Sequence, residues 1–133
     1  ELISRKQGEI ERILQLRDKL ERELENRVSK TVIHGKGEDR LPNTSLISFQ
    51  NVDSETLILA LSDRGVCVSS GSACVSGLML PSHVLKAMAV PEPLARGTLR
   101  FSLSRYTTEG EIDQTVPLVS ELVEQIRFIA AAS

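Results

Sequence analysis

Hydrophobic residues recur at helical spacing near the start of the chain. Ile13, Leu16, Leu20 and Leu24 follow one another at intervals of three and four, and arginine, glutamate and lysine fill most positions between them. This spacing predicts an amphipathic helix over about residues 6–26, with one side lying on a core.

A second apolar stripe predicts a helix at the end of the chain, capped by Thr108. The members of the stripe are Ile112, Val116, Val119, Val123 and Ile126. Pro117 falls inside this stripe, and a proline deep in a helix removes one backbone hydrogen bond. We therefore expect either a bend over residues 113–117 or two shorter helices.

Short β-prone segments lie between these helices. They predict strands at residues 31–33, 44–49, 66–68 and 98–103, the first of them at a sheet edge. Two further helical patterns cover residues 54–63 and a short stretch after Pro81. The order of elements indicates the α+β class, with a small, mostly antiparallel sheet and helices packed on one face.

Composition narrows the class of protein. The 133 residues are 41% hydrophobic and 26% charged, as in one ordinary soluble globular domain spanning residues 1–133. A net charge of -2, no Trp and only four other aromatic residues argue against nucleic acid as a partner. No apolar run approaches the roughly 20 residues that span a bilayer, so we expect no membrane partner either.

The cysteine content and the first residue suggest the context of the chain. Two cysteines are too few for a disulfide scaffold, which favours a reducing, cytoplasmic compartment. The chain starts at Glu1 rather than at a methionine, and we expect it to be cut from something longer.

A segment almost without bulky side chains contains the first candidate for chemistry. Residues 69–77 read SSGSACVSG, a composition that favours a mobile loop. Such a loop gives Cys74 the access that a thiol nucleophile needs. Composition alone favours the alternative, a surface cysteine in a linker.

The other cysteine and the two histidines are weaker candidates for functional residues. Cys67 alternates with valines and is expected to be a packed, unreactive thiol. A redox pair of Cys67 with Cys74 is conceivable, but the spacing is not CxxC. His34 and His83 do not lie at ligand spacing from a cysteine, so we expect structural roles for both and no metal site.

Arg100 is the candidate for binding an anion. It lies in a predicted strand between Leu99 and Phe101, and a guanidinium there can hold a carboxylate through two parallel hydrogen bonds. The alternative is an outward-facing charge on a half-exposed strand. Arg105 is expected to be a structural or surface residue.

Four segments, taken in order, resemble the C-terminal part of class I cysteine desulfurases. They are SSGSAC at residues 69–74, PSHVL at 81–85, LRFS at 99–102 and TTE at 107–109. These desulfurases are pyridoxal-phosphate enzymes of the NifS and IscS type, in the class-V aminotransferase family. The resemblance covers essentially the whole chain and implies the small C-terminal domain of a fold-type I pyridoxal-phosphate enzyme.

The resemblance also implies a reaction and its residues. Cys74 matches the nucleophile that takes sulfur from L-cysteine to form a persulfide, leaving alanine, and Arg100 matches the residue that binds the substrate carboxylate. The family forms homodimers and passes sulfur to iron-sulfur scaffold proteins or other acceptors.

The resemblance further implies that the family's cofactor residues lie in a large domain upstream of this segment, so we expect that domain to be absent from the chain. None of its five lysines stands in the His-Lys context of the family's cofactor lysine. We therefore expect pyridoxal phosphate in the full-length enzyme, no cofactor in this fragment and no turnover by the chain alone.

Two other interpretations remain open. The chain could be a non-enzymatic sulfur carrier or docking module, in which Cys74 receives sulfur from another protein. It could also be a thiol-bearing α+β domain of unrelated function.

Overall fold

The computed structural model describes residues 2–35, 42–66, 68–70, 73–75, 78–80 and 96–132. In chain order its elements are α1 (Leu2–Arg27), β1 (Thr31–His34), β2 (Thr44–Phe49), α2 (Ser54–Asp63), β3 (Ser69–Ser70), β4 (Ala73–Val75), β5 (Leu78–Leu80), β6 (Thr98–Ser102) and α3 (Glu109–Ala132).

The described strands form two antiparallel sheets. The larger sheet has four strands in the order β1-β2-β6-β3, and the smaller pairs β4 with β5. The strands predicted at residues 31–33, 44–49 and 98–103 are present within one residue of those bounds, and β1 is an edge strand as expected.

The hydrophobic core lies against one face of the larger sheet. Ile47 and Phe49 of β2 and Leu99 and Phe101 of β6 alternate onto that face and are almost fully buried. The core residues that the three helices contribute are Leu16, Leu20, Leu24, Leu57, Leu61, Ile112, Val116, Val119, Leu122 and Val123. The predicted α+β class with helices on one face is confirmed.

The strand predicted at residues 66–68 is wrong. The Val66 N–H donates to Leu61 O at 2.9 Å, and Gly65 takes a positive φ of 82°. These features close the C-terminus of α2 in the manner of a Schellman motif, so the Val66 backbone ends a helix instead of pairing in the sheet. Pairing with β6 begins only at Ser69.

Helix α3 is continuous through Pro117, so the expectation of two shorter helices is wrong. Pro117 lies on the exposed side, while Val116 and Val119 are fully buried on either side of it. Packing of the apolar stripe holds the helix together despite the missing backbone donor.

Helices α2 and α3 each begin with a side-chain cap. At the start of α3 the Thr108 hydroxyl accepts from the Glu111 N–H at 3.1 Å, and Glu111 Oε1 accepts from the Thr108 N–H at 3.1 Å. This capping box confirms Thr108 as the cap. At α2 the cap is Asp53, one residue before the predicted start.

Two further expectations concern the short helix after Pro81 and membrane-spanning segments. The short helix expected after Pro81 lies outside the described residues. Among the described helices, none combines the length and the apolar content needed to cross a bilayer.

Candidate functional site

Arg100 lies on the face of the larger sheet that points away from the helices. Its neighbours Leu99 and Phe101 are in the core, so the alternation of the strand turns Arg100 to the other side, where it is exposed. Within the described part of the chain, its guanidinium makes no hydrogen bond or ion pair. The arginine is therefore available for an anion from outside this set of residues.

Two residues flank Arg100 directly across the sheet. Leu46 of β2 pairs with it on one side, and Ser69 of β3 pairs with it on the other. Directly opposed residues share a face, so these three side chains form one row. Ser69 is exposed and is the polar member of the row beside the arginine.

A chain of polar side chains crosses the same face next to this row. Ser48 Oγ lies 2.5 Å from both His34 Nε2 and Thr98 Oγ1. All three are buried, and burial lowers the pKa of His34 below its usual value, which favours the neutral imidazole. These contacts join β1, β2 and β6 on the face that carries Arg100, and they support the structural role expected of His34.

Cys74 lies in strand β4, whereas the composition of residues 69–77 favoured a mobile loop over the whole segment. Its strand β4 pairs with β5 in the register Cys74 to Met79. The two strands run antiparallel, from Val75 opposite Leu78 to Ala73 opposite Leu80, and this pair is called the Cys74 hairpin below. Leu78, Met79 and Leu80 carry no alternation, which is why sequence reasoning missed β5.

The chain ties the Cys74 hairpin to the arginine through β3. Ser69 pairs with Arg100, and Cys74 follows five residues later. Five residues of extended chain span at most about 17 Å. The structure thus fixes the start of the cysteine-bearing segment beside Arg100, whereas Cys67 lies outside the described residues.

The remaining candidates from the sequence are Arg105 and a possible metal site. The exposed Arg105 donates from Nη2 to the Tyr106 hydroxyl at 2.5 Å, and its guanidinium lies 4.8 Å from the centre of that ring. This is the surface role expected of it. In the described ranges, no group of three His, Cys, Asp or Glu side chains is arranged to hold a metal ion.

A cavity of about 360 Å³ lies on the helix side of the sheet, away from Arg100. Leu20, Phe101 and Leu103 contribute apolar walls, and Glu111 contributes a polar one. Arg100 does not line this cavity.

The described lysines do not fit a pyridoxal-phosphate site. A lysine that bonds covalently to that cofactor must lose its proton, which desolvation or a neighbouring cation promotes. Lys19 has the opposite surroundings, because hydrogen bonding to Asp113 at 2.6 Å raises its pKa, and Glu109 lies at 3.2 Å. Lys6 and Lys30 are exposed.

A comparison with family models establishes the relationship of the chain. The model described as aminotransferase class-V matches residues 5–115. The chain belongs to the aminotransferase class-V family. One curated protein similar to this chain is cysteine desulfurase 2 of Trichormus variabilis. It is 44% identical over 125 residues, which are 94% of the chain and 31% of that relative.

Other relatives of this class-V chain agree. Cysteine desulfurase NifS of Azotobacter vinelandii is 47% identical over 115 residues, covering 86% of the chain and 29% of the relative. A solved NifS-like protein superposes with a TM-score of 0.77 at 32% identity, covering 92% of the chain and 30% of its own. A NifS-like protein from Rickettsia africae gives 0.72 at 30% identity, covering 87% and 29%. The chain thus spans about a third of the length of the relatives it matches.

Proposed function

We propose that residues 1–133 form the C-terminal small domain of a pyridoxal-phosphate-dependent cysteine desulfurase. The observation that carries the proposal is the arrangement around Arg100. This exposed arginine lies beside strand β3, and the chain reaches Cys74 five residues after Ser69. The relatives named cysteine desulfurase support it, at 42 to 47% identity over much of this chain. The large domain that binds the cofactor belongs to the rest of the polypeptide.

The reaction divides between the two residues. Arg100 binds the carboxylate of L-cysteine through its two parallel donors. The Cys74 thiolate attacks the substrate sulfur, so that an S–S bond forms as the substrate C–S bond breaks. L-Cysteine and a protein thiol thereby become alanine and a protein persulfide, with no external oxidant. Pyridoxal phosphate, when bound, supplies the electron sink that makes the C–S bond labile.

The hairpin that carries Cys74 suits delivery of sulfur. It is anchored beside Arg100 by the short strand β3, while its own pairing with β5 does not involve the larger sheet. A persulfide on such a segment is positioned to pass to an iron-sulfur scaffold protein or another sulfur acceptor. We infer a homodimeric, cytoplasmic enzyme from the same family relationship.

The test uses the full polypeptide that contains this chain, with pyridoxal phosphate, L-cysteine and a thiol reductant to release the sulfur. We expect Cys74→Ser to abolish alanine formation and Cys67→Ser, the matched control, to leave it within about twofold of the parent. We also expect Arg100→Gln to raise the KM for L-cysteine at least tenfold, because a charged pair of hydrogen bonds is lost. Alanine formation undiminished in Cys74→Ser would refute the proposal.

A further inference from the structure

The row of side chains that contains Arg100 offers a second donor. Ser69 lies directly across from Arg100 in the sheet, and both side chains are exposed on the same face. Cβ atoms of directly opposed residues lie about 4.5–5.5 Å apart. The other neighbour across the sheet, Leu46, has no polar group to offer.

Neither side chain is engaged elsewhere in the described part of the chain. No hydrogen bond or ion pair joins the Ser69 hydroxyl or the Arg100 guanidinium to another described residue. Two adjacent exposed donors, one charged and one neutral, suit an acceptor with more than one oxygen.

A carboxylate has the acceptor capacity for both donors. Its two oxygens offer about four lone-pair directions, and the guanidinium fork uses only part of them. A hydroxyl one strand away can donate to a remaining lone pair, with a donor-to-acceptor distance of about 2.6 Å. An uncharged amide in the same place presents a single oxygen and a weaker acceptor.

We propose that the Ser69 hydroxyl donates a hydrogen bond to the substrate carboxylate that Arg100 binds, and so helps to select free amino acids over their amides. This inference rests on the proposed function and deepens it. Since Ser69 begins the run that leads to Cys74, the same bond connects bound substrate to the base of the cysteine hairpin.

The experiment compares binding with turnover in the full polypeptide loaded with pyridoxal phosphate. We expect Ser69→Ala to raise the KM for L-cysteine about fivefold with kcat within twofold, as for one lost hydrogen bond to an exposed charged acceptor. Competitive inhibition by L-alanine should weaken by the same factor, and inhibition by L-alaninamide should not change. Ser69→Thr should restore the KM, because it returns the hydroxyl.

Ser102→Ala is the matched control. Ser102 is exposed on the same face, but its partner across the sheet is Thr44. We expect its KM to match the parent. An equal effect of Ser102→Ala, or an equal loss of L-alanine and L-alaninamide binding in Ser69→Ala, would overturn the role of Ser69.

Arg100→Gln separates this inference from the proposed function. If Arg100→Gln raises the KM and Ser69→Ala does not, the serine has no part in binding and the arginine site stands. If Arg100→Gln leaves the KM unchanged, the arginine site fails and the serine proposal fails with it.

Discussion

Gly97 lies where the start of β6 passes over the end of β2. A Cβ atom on Gly97 would come within 2.2 Å of Phe49 O and 2.7 Å of Val52 O. The Gly97 carbonyl also accepts the Phe49 N–H at 2.9 Å, and the preceding Arg96 carbonyl accepts the Ser54 N–H at 3.0 Å. The glycine therefore permits a backbone contact that holds β6, and with it Arg100, against β2.

Replacing this glycine tests the contact. We expect Gly97→Ala to lower the free energy of unfolding by about 3 kcal/mol, because both clashing atoms belong to the backbone and cannot rotate away. Gly8→Ala is the control, since a Cβ there meets nothing within 4 Å, and alanine in a helix should raise the free energy of unfolding by about 0.5–1 kcal/mol. Urea denaturation of the purified chain measures both. Equal effects of the two substitutions would rule out the close contact as the reason for Gly97.

The helices and the long strands follow from local patterns. Alternation in residues 98–103 and the stripe of Leu16, Leu20 and Leu24 report directly which side faces the core, so they predict β6 and α1 well. Strand β3 has only two residues and takes its place from pairing with β6. Such an element depends on residues distant in sequence, which a local pattern does not report.

Helix α3 shows the same competition between local and tertiary effects. Its interior proline lacks the N–H that would bond to the carbonyl of Asp113, yet the helix continues because its apolar stripe is buried. Lys19 adds to this attachment by bridging from α1 to Asp113 and Glu109. Tertiary packing thus offsets a local defect.

Removing the proline measures that defect. We expect Pro117→Ala to raise the free energy of unfolding by about 1–2 kcal/mol, since a regained helix hydrogen bond outweighs the added freedom of the unfolded chain. Gln114→Ala, at an exposed position one turn earlier, should change it by less than about 0.5 kcal/mol. Thermal unfolding followed by far-UV circular dichroism is the measurement. A lower stability of Pro117→Ala would mean that the proline shapes α3 in a way that packing requires.

The two faces of the larger sheet carry different kinds of side chain. One face carries the buried apolar residues, and the other carries Arg100, Ser69 and the polar chain through Ser48. The sequence alone predicted the motif around Cys74 and the position of Arg100 in a strand. The pairing of Ser69 with Arg100 was not, because it depends on a register between strands 31 residues apart.

The surroundings of the described lysines lead to an expectation for the isolated chain. The described lysines are exposed or, like Lys19, stabilised as cations, which is unsuitable for a cofactor-bonding amine. We therefore expect the isolated chain, shown to be folded by circular dichroism, to release no alanine from L-cysteine when pyridoxal phosphate is added.

The full polypeptide, assayed in parallel, should release alanine in a manner that requires Cys74. Alanine from the isolated chain would contradict the assignment of the cofactor site to another domain. If neither protein forms alanine but Cys74 takes up sulfur from a separate desulfurase, the chain acts as a carrier. In that case Ser69→Ala and Arg100→Gln should leave sulfur uptake unchanged, because an acceptor thiol that meets a protein persulfide has no free amino-acid carboxylate to bind.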